Sequence, residues 1–94
     1  MLEANLVRAI RAAIRKRWPR AWIYKTHDAS RAGVPDLIVC LDGQFVAMEV
    51  KRPGGMVTAL QFATLDDIDR AGGVAHVVYS VQEAIEICEM AEDV

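Results

Sequence analysis

Leu37-Ile38-Val39-Cys40-Leu41-Asp42-Gly43-Gln44-Phe45-Val46-Ala47-Met48-Glu49-Val50-Lys51 is the stretch whose reading fixes the architecture. Two apolar runs flank Asp42-Gly43, a dipeptide suited to the left-handed backbone of a two-residue hairpin turn. Such a turn pairs Leu41 with Gln44, and the same register carried outward brings Asp36 directly across from Glu49. A symmetric four-residue loop would keep that pairing, whereas a three-residue loop or a bulge would break it. Side chains alternate between the faces of a strand, so Lys51 shares a face with Glu49 and lies diagonal to Asp36. Opposed Cβ atoms sit roughly 4.5–5.5 Å apart, and like charges at that spacing repel, so the acid pair calls for a cation.

Two carboxylates and a lysine in one small volume suit phosphodiester hydrolysis. Mg²⁺ is commonly held by one or two carboxylates and completes its shell with water and substrate phosphate. Asp36 and Glu49 are the candidate ligands, with the Val50 carbonyl as a further one. Lys51 can orient a water or the phosphate, or act as a base if its surroundings depress its pKa. Acid and lysine at alternate strand positions are also common on solvated sheet faces. Here, however, the flanking runs are apolar on both faces, as in a sheet covered on both sides.

Outward from the hairpin, the chain reads as three helices and two more strands. Residues 2–18 carry a helical apolar stripe of Leu2, Leu6, Ile10, Ala13 and Ile14, with Arg8, Arg11 and Arg15 on the opposite, solvent side. Glu3 falls within the stripe and points towards the sheet, which makes it a candidate third carboxylate. A strand over 21–26 and a polar loop from His27 to Arg31 lead to Gly33 and Pro35, which set the approach to Asp36. Arg52-Pro53-Gly54-Gly55 reads as a flexible connection, and no Gly-Lys-Ser/Thr follows to make it a nucleotide-phosphate loop. Thr58-Ala59-Leu60-Gln61 matches a capping box opening a helix over 59–71, with Leu60, Thr64, Ile68 and Ala71 inward and Gly72-Gly73 at its end. A strand over 74–79 carries His76 as a sheet residue. A helix from Val81 to Glu92, capped by Ser80, faces Val81, Ala84, Ile85, Cys88 and Ala91 inward; Ile87 and Met90 lie partly off that stripe, open either to a dimer contact or to the ordinary exposure of single apolar residues. The order α-β-β-β-α-β-α predicts an α/β fold: a mixed sheet flanked by helices on both faces, with the last strand parallel to its neighbour.

The sequence Gly33-Val34-Pro35-Asp36, Glu49-Val50-Lys51 and Thr58-x-x-Gln61 resembles the virus-type replication-repair nuclease (VRR-NUC) domain of the PD-(D/E)xK nucleases. The resemblance runs from the first helix through the strand at 74–79. It implies a restriction-endonuclease-like core and cleavage of DNA with Mg²⁺ or Mn²⁺. For small standalone members it implies a homodimer acting on branched DNA such as four-way junctions. It makes Asp36 and Glu49 metal ligands, Lys51 the catalytic lysine and Gln61 an accessory active-site residue. An acid on the first helix often joins the metal site in this family, which favours Glu3. A capping role competes for Gln61, because one rotamer cannot easily serve both tasks.

Composition bounds what remains. Ninety-four residues, 53% apolar, suffice for one modest core over 1–94 and no second domain. Residues 1–31 carry eight bases against Glu3 and Asp28, while the rest carries three bases against eleven acids, a polarity hidden by the net charge of −2. Such asymmetry suggests a basic face for nucleic-acid phosphates, with Arg8, Arg11, Arg15, Lys25, Ser30, Arg31 and Arg52 as its members. Tyr24 is a further candidate for substrate contact, and His27 an ordinary loop residue. No run approaches membrane-spanning length and no leader suggests export. Cys40, in an expected buried strand, and Cys88 fit no zinc spacing and read as small apolar residues in a reducing cytoplasm. Neither an organic cofactor nor a membrane partner is expected. The competing readings are a nucleic-acid-binding module that keeps the fold without meaningful catalysis, and an interaction domain, which would leave the opposed acids unexplained.

Overall fold

The computed structural model describes residues 2–27 and 32–93. The elements follow the order α1 (Glu3–Arg17), β1 (Trp22–Lys25), β2 (Leu37–Leu41), β3 (Gln44–Val50), α2 (Ala59–Arg70), β4 (Val74–Val78) and α3 (Val81–Glu92). Asp42 at φ 49° and Gly43 at φ 82° form the expected two-residue turn, whose twist matches that of the flanking strands. The register is therefore the one the turn dictates, with Leu41 opposite Gln44 and Leu37 opposite Met48. β1 pairs antiparallel with β2, and β4 pairs parallel with β3 after the α2 crossover, giving the sheet order β1-β2-β3-β4.

Alternation sorts the strand residues cleanly. Leu37, Val39, Leu41, Val46, Met48, Val50 and Val78 lie on one face and form the core with Leu6, Val7, Ile10 and Ile14 of α1 and Ala84, Cys88 and Ala91 of α3. Each large apolar side chain fully buried in this layer contributes roughly 1.5–3 kcal/mol. The small residues of α3 let that helix approach closely, and burial with Glu92 and Glu89 nearby pushes the Cys88 thiol up to about 11, so it stays a packing residue. Val81 and Ile85 are only half-buried against the core, as is Ile87, whereas Met90 is exposed.

Three expectations need correction. Leu2 does not join the stripe: it is the N-cap of α1 and is 65% exposed, while Val7 is buried in its stead. That rotation of the stripe draws Arg11 off the solvent side into a half-buried position. On α2, Leu65 is the buried residue, whereas Leu60 and Ala71 are exposed and Thr64 and Ile68 half-buried. Finally, α2 lies chiefly over β3 and β4, so among the described residues no helix covers the β1–β2 half of that sheet face. Cys40 faces this open half and is exposed, contrary to a strand covered on both sides. His76 is likewise exposed on the edge strand β4. Among the described residues no helix is long and apolar enough to cross a membrane.

Candidate active site

The end of the hairpin remote from its turn gathers the acids. Asp36 stands one residue before β2, and three hydrogen bonds fix it. Thr26 N–H donates to Asp36 O at 3.0 Å, Thr26 Oγ1 donates to Pro35 O at 2.8 Å, and Val50 N–H donates to Asp36 Oδ2 at 2.8 Å. Successive amides of a strand alternate sides. Lys51 N–H reaches Val78 O on β4 at 3.0 Å, and the Val50 amide therefore turns the other way, beyond the last β2–β3 pair, where the carboxylate takes it.

Gly33 lies against α2. At φ +85° it occupies the left-handed region, and a Cβ there would lie 2.9 Å from Leu60 Cγ and 3.0 Å from both Leu60 O and Thr64 Oγ1. Gly33→Ala should therefore cost about 1–3 kcal/mol, from strain plus a contact with backbone that cannot move freely. A lowered urea midpoint checks this; an unchanged midpoint would mean that the loop is not clamped.

Glu49 is the unusual member. It is 2% exposed, and its Oε2 is buried with no hydrogen-bond partner among the described residues. Burial foremost, then the hydrogen bond and charge of Asp36, push its carboxyl from an ordinary 4.5 up to about 8; Lys51 opposes this rise and Glu3 adds to it. Buried polar atoms are rarely left unpaired, so an orphan carboxylate oxygen beside a second acid marks a place for a proton or a cation. The donor set, two hard carboxylates with a lysine alongside, fits a divalent cation of the Mg²⁺ type.

The other expected site residues are placed less uniformly. Glu3 is exposed on the first turn of α1 and reaches Glu49 through its charge, but among the described residues no three acids, histidines or cysteines lie close enough to share an ion. Gln61 completes the capping box: its Oε1 accepts from Thr58 N–H at 2.9 Å, and its own N–H donates to Thr58 Oγ1 at 3.1 Å. Arg8, Arg11 and Lys25 join His27 in lining a cleft of about 210 Å³ between α1 and β1. Arg11 Nε is shielded there without a partner among the described residues. Lys25 lies on the sheet face opposite that of Asp36 and Glu49, and its Nζ donates to Thr26 O at 3.2 Å. Arg15 and Arg52 are exposed. Ser30 and Arg31 lie outside the described residues.

Thr26 is the positioning residue that sequence reasoning missed. The loop joining β1 to β2 is too long to set a register from its sequence, so nothing in the chain announces that Thr26 meets Asp36.

An antiparallel hairpin extended by a parallel strand across a helix, with helices on both faces, is a restriction-endonuclease-like architecture of nuclease type. The chain belongs to the VRR-NUC domain family, whose model matches residues 1–82. The fold is also similar to a solved structure described as a VRR_NUC domain, with a TM-score of 0.68 over 86% of this chain and 91% of that one at 22% identity. No curated protein matches the chain.

Proposed function

We propose that the protein is a divalent-metal-dependent DNA endonuclease that hydrolyses phosphodiester bonds, acting as a homodimer on branched DNA such as four-way junctions. The observation that carries this reading is the contact of Asp36 with a buried Glu49 whose Oε2 has no partner among the described residues. Asp36, through the oxygen not taken by Val50 N–H, and Glu49 would hold Mg²⁺ or Mn²⁺, with the Val50 carbonyl and Glu3 as additional ligands. A bound divalent cation supplies charge neutralisation at the scissile phosphate and acidifies an attacking water. Lys51 either orients that water or the phosphate or serves as the base. Arg8, Arg11, Arg15 and Arg52 hold flanking phosphates, a salt-sensitive and sequence-independent contribution. Two symmetric cuts in a junction need two sites, which a two-fold dimer supplies.

The test is incubation of four-way, flap and linear DNA with Mg²⁺ or Mn²⁺, with products mapped to each strand. Nicks that require the metal and are paired about the branch are expected. Binding without nicks in any substrate would leave a nucleic-acid-binding module. Gln61 is separable within the same assay. Thr58→Ala and Gln61→Ala should each cost about 1 kcal/mol through the cap, and a cleavage defect confined to Gln61→Ala is the mark of an active-site role. Equal cleavage by the two variants would reduce Gln61 to a cap.

A further inference from the structure

The open half of the sheet carries an aromatic pair that the hydrolytic site does not use. Trp22 and Tyr24 alternate with core residues on β1, and their rings stack at 5.8 Å between centroids with planes 14° apart. Both project from the uncovered face, Trp22 58% and Tyr24 46% exposed, although large aromatics ordinarily seek burial. Trp22 lies opposite Cys40 and Tyr24 opposite Ile38, and the same register leads to Thr26, whose N–H binds Asp36 O. The pair therefore shares one sheet face with Asp36 and Glu49. At about 3.3–3.4 Å per residue, Tyr24 stands roughly 7 Å and Trp22 roughly 14 Å from the acid row.

Charge lies round the free edge of β1 from the aromatics, on the sheet face that carries Lys25. His27 meets Tyr24 edge-on at 6.4 Å and also lines the cleft that holds Arg8, Arg11 and Lys25. Exposed ring faces with cationic charge within reach of the same strand are how proteins hold unpaired nucleic acid: bases stack on the rings and phosphates follow the charge. Fully paired DNA offers no free base face to such a surface.

Resting on the nuclease reading above, we propose that the Trp22–Tyr24 stack is a seat for unpaired nucleobases, holding a single-stranded segment on the face that leads to Asp36 and Glu49. The occupant is a nucleic-acid strand with unstacked bases. Beyond the seat its backbone passes round the free edge of β1, where Arg8, Arg11 and Lys25 meet its phosphates.

Binding is measured in EDTA, where no cleavage occurs, by fluorescence anisotropy of a labelled oligothymidylate and of a blunt duplex of the same length. Trp22→Ala should weaken single-strand binding roughly tenfold, the scale of one lost base–aromatic stack, and should leave duplex binding within twofold. Trp22→Leu keeps apolar bulk on the strand but loses the aromatic face, and should behave like Trp22→Ala; Trp22→Phe should retain most of the affinity. Circular dichroism verifies the fold of each variant. Unchanged single-strand affinity, or an equal loss for duplex, overturns the proposal. So does a shift from dimer to monomer with strand affinity intact, which would give the patch to a second copy. If the strand binds through Trp22 yet no DNA is cut with metal, the nuclease reading fails and the seat stands; metal-dependent cutting with no effect of Trp22 on strand binding removes the seat alone.

Discussion

Glu49→Gln is expected to raise the melting temperature of the metal-free protein at neutral pH and to abolish cleavage. In the folded chain the Glu49 carboxyl titrates near 8 against an ordinary 4.5, because burial and Asp36 disfavour its charge. A carboxyl whose folded pKa is raised contributes its stabilisation below the unfolded value and loses it as pH climbs through the folded one. From pH 4.5 to 7 that loss is on the order of 3 kcal/mol at 1.36 kcal/mol per pH unit. Glutamine is never charged, and its amide can donate to Asp36 as the protonated acid does. A gain of about 1–3 kcal/mol follows, roughly 5–20 °C for a domain of this size. The difference should shrink as pH falls and vanish near pH 4. With excess Mn²⁺ the order should reverse, because an ion bound to the native state stabilises the wild type and not the variant. Calorimetry across pH reads all of this; equal melting temperatures at pH 7 would mean that Glu49 is not held against its charge. A site whose removal stabilises the fold is the usual sign that function, not folding, placed the group there.

Lys51→Ala should lower single-turnover cleavage by about 10²- to 10⁴-fold with little change in fold or DNA binding. The backbone bond from Lys51 N–H to Val78 O at 3.0 Å does not depend on the side chain, so β3 keeps its place beside β4. The lysine charge opposes the rise in the Glu49 pKa. Lys51→Arg sorts the two roles of the lysine. Arginine keeps the charge but does not deprotonate, so partial activity marks orientation of water or phosphate and none marks a base. Full metal-dependent activity in Lys51→Ala would remove the lysine from the chemistry.

Much of this molecule is legible in its sequence because the decisive relations are local. Asp42-Gly43 sets the turn, the turn sets the register from Leu41–Gln44 to Leu37–Met48, and one step beyond its last pair Asp36 and Glu49 are in contact. Thr58 and Gln61 announce their capping box three residues apart, and the crossover between β3 and β4 follows from a helix placed between two strands. The family match, over residues 1–82, spans these same segments. The misreadings come from relations that join distant segments. Periodicity gave α1 an apolar side but not its rotation, so Leu2 and Val7 exchanged places and Arg11 moved inward.

What the sequence by itself determined is therefore the hairpin, its pairing and the acids it carries, since a two-residue turn leaves one register and strand alternation leaves one face. Only the tertiary structure decided how much of the sheet α2 covers, that Glu49 is buried with an orphan oxygen, that Thr26 buckles Asp36 and that Trp22 and Tyr24 stand in the open. Those facts depend on where a helix settles on a surface, and that is set by the sum of many weak contacts, not by any neighbour along the chain.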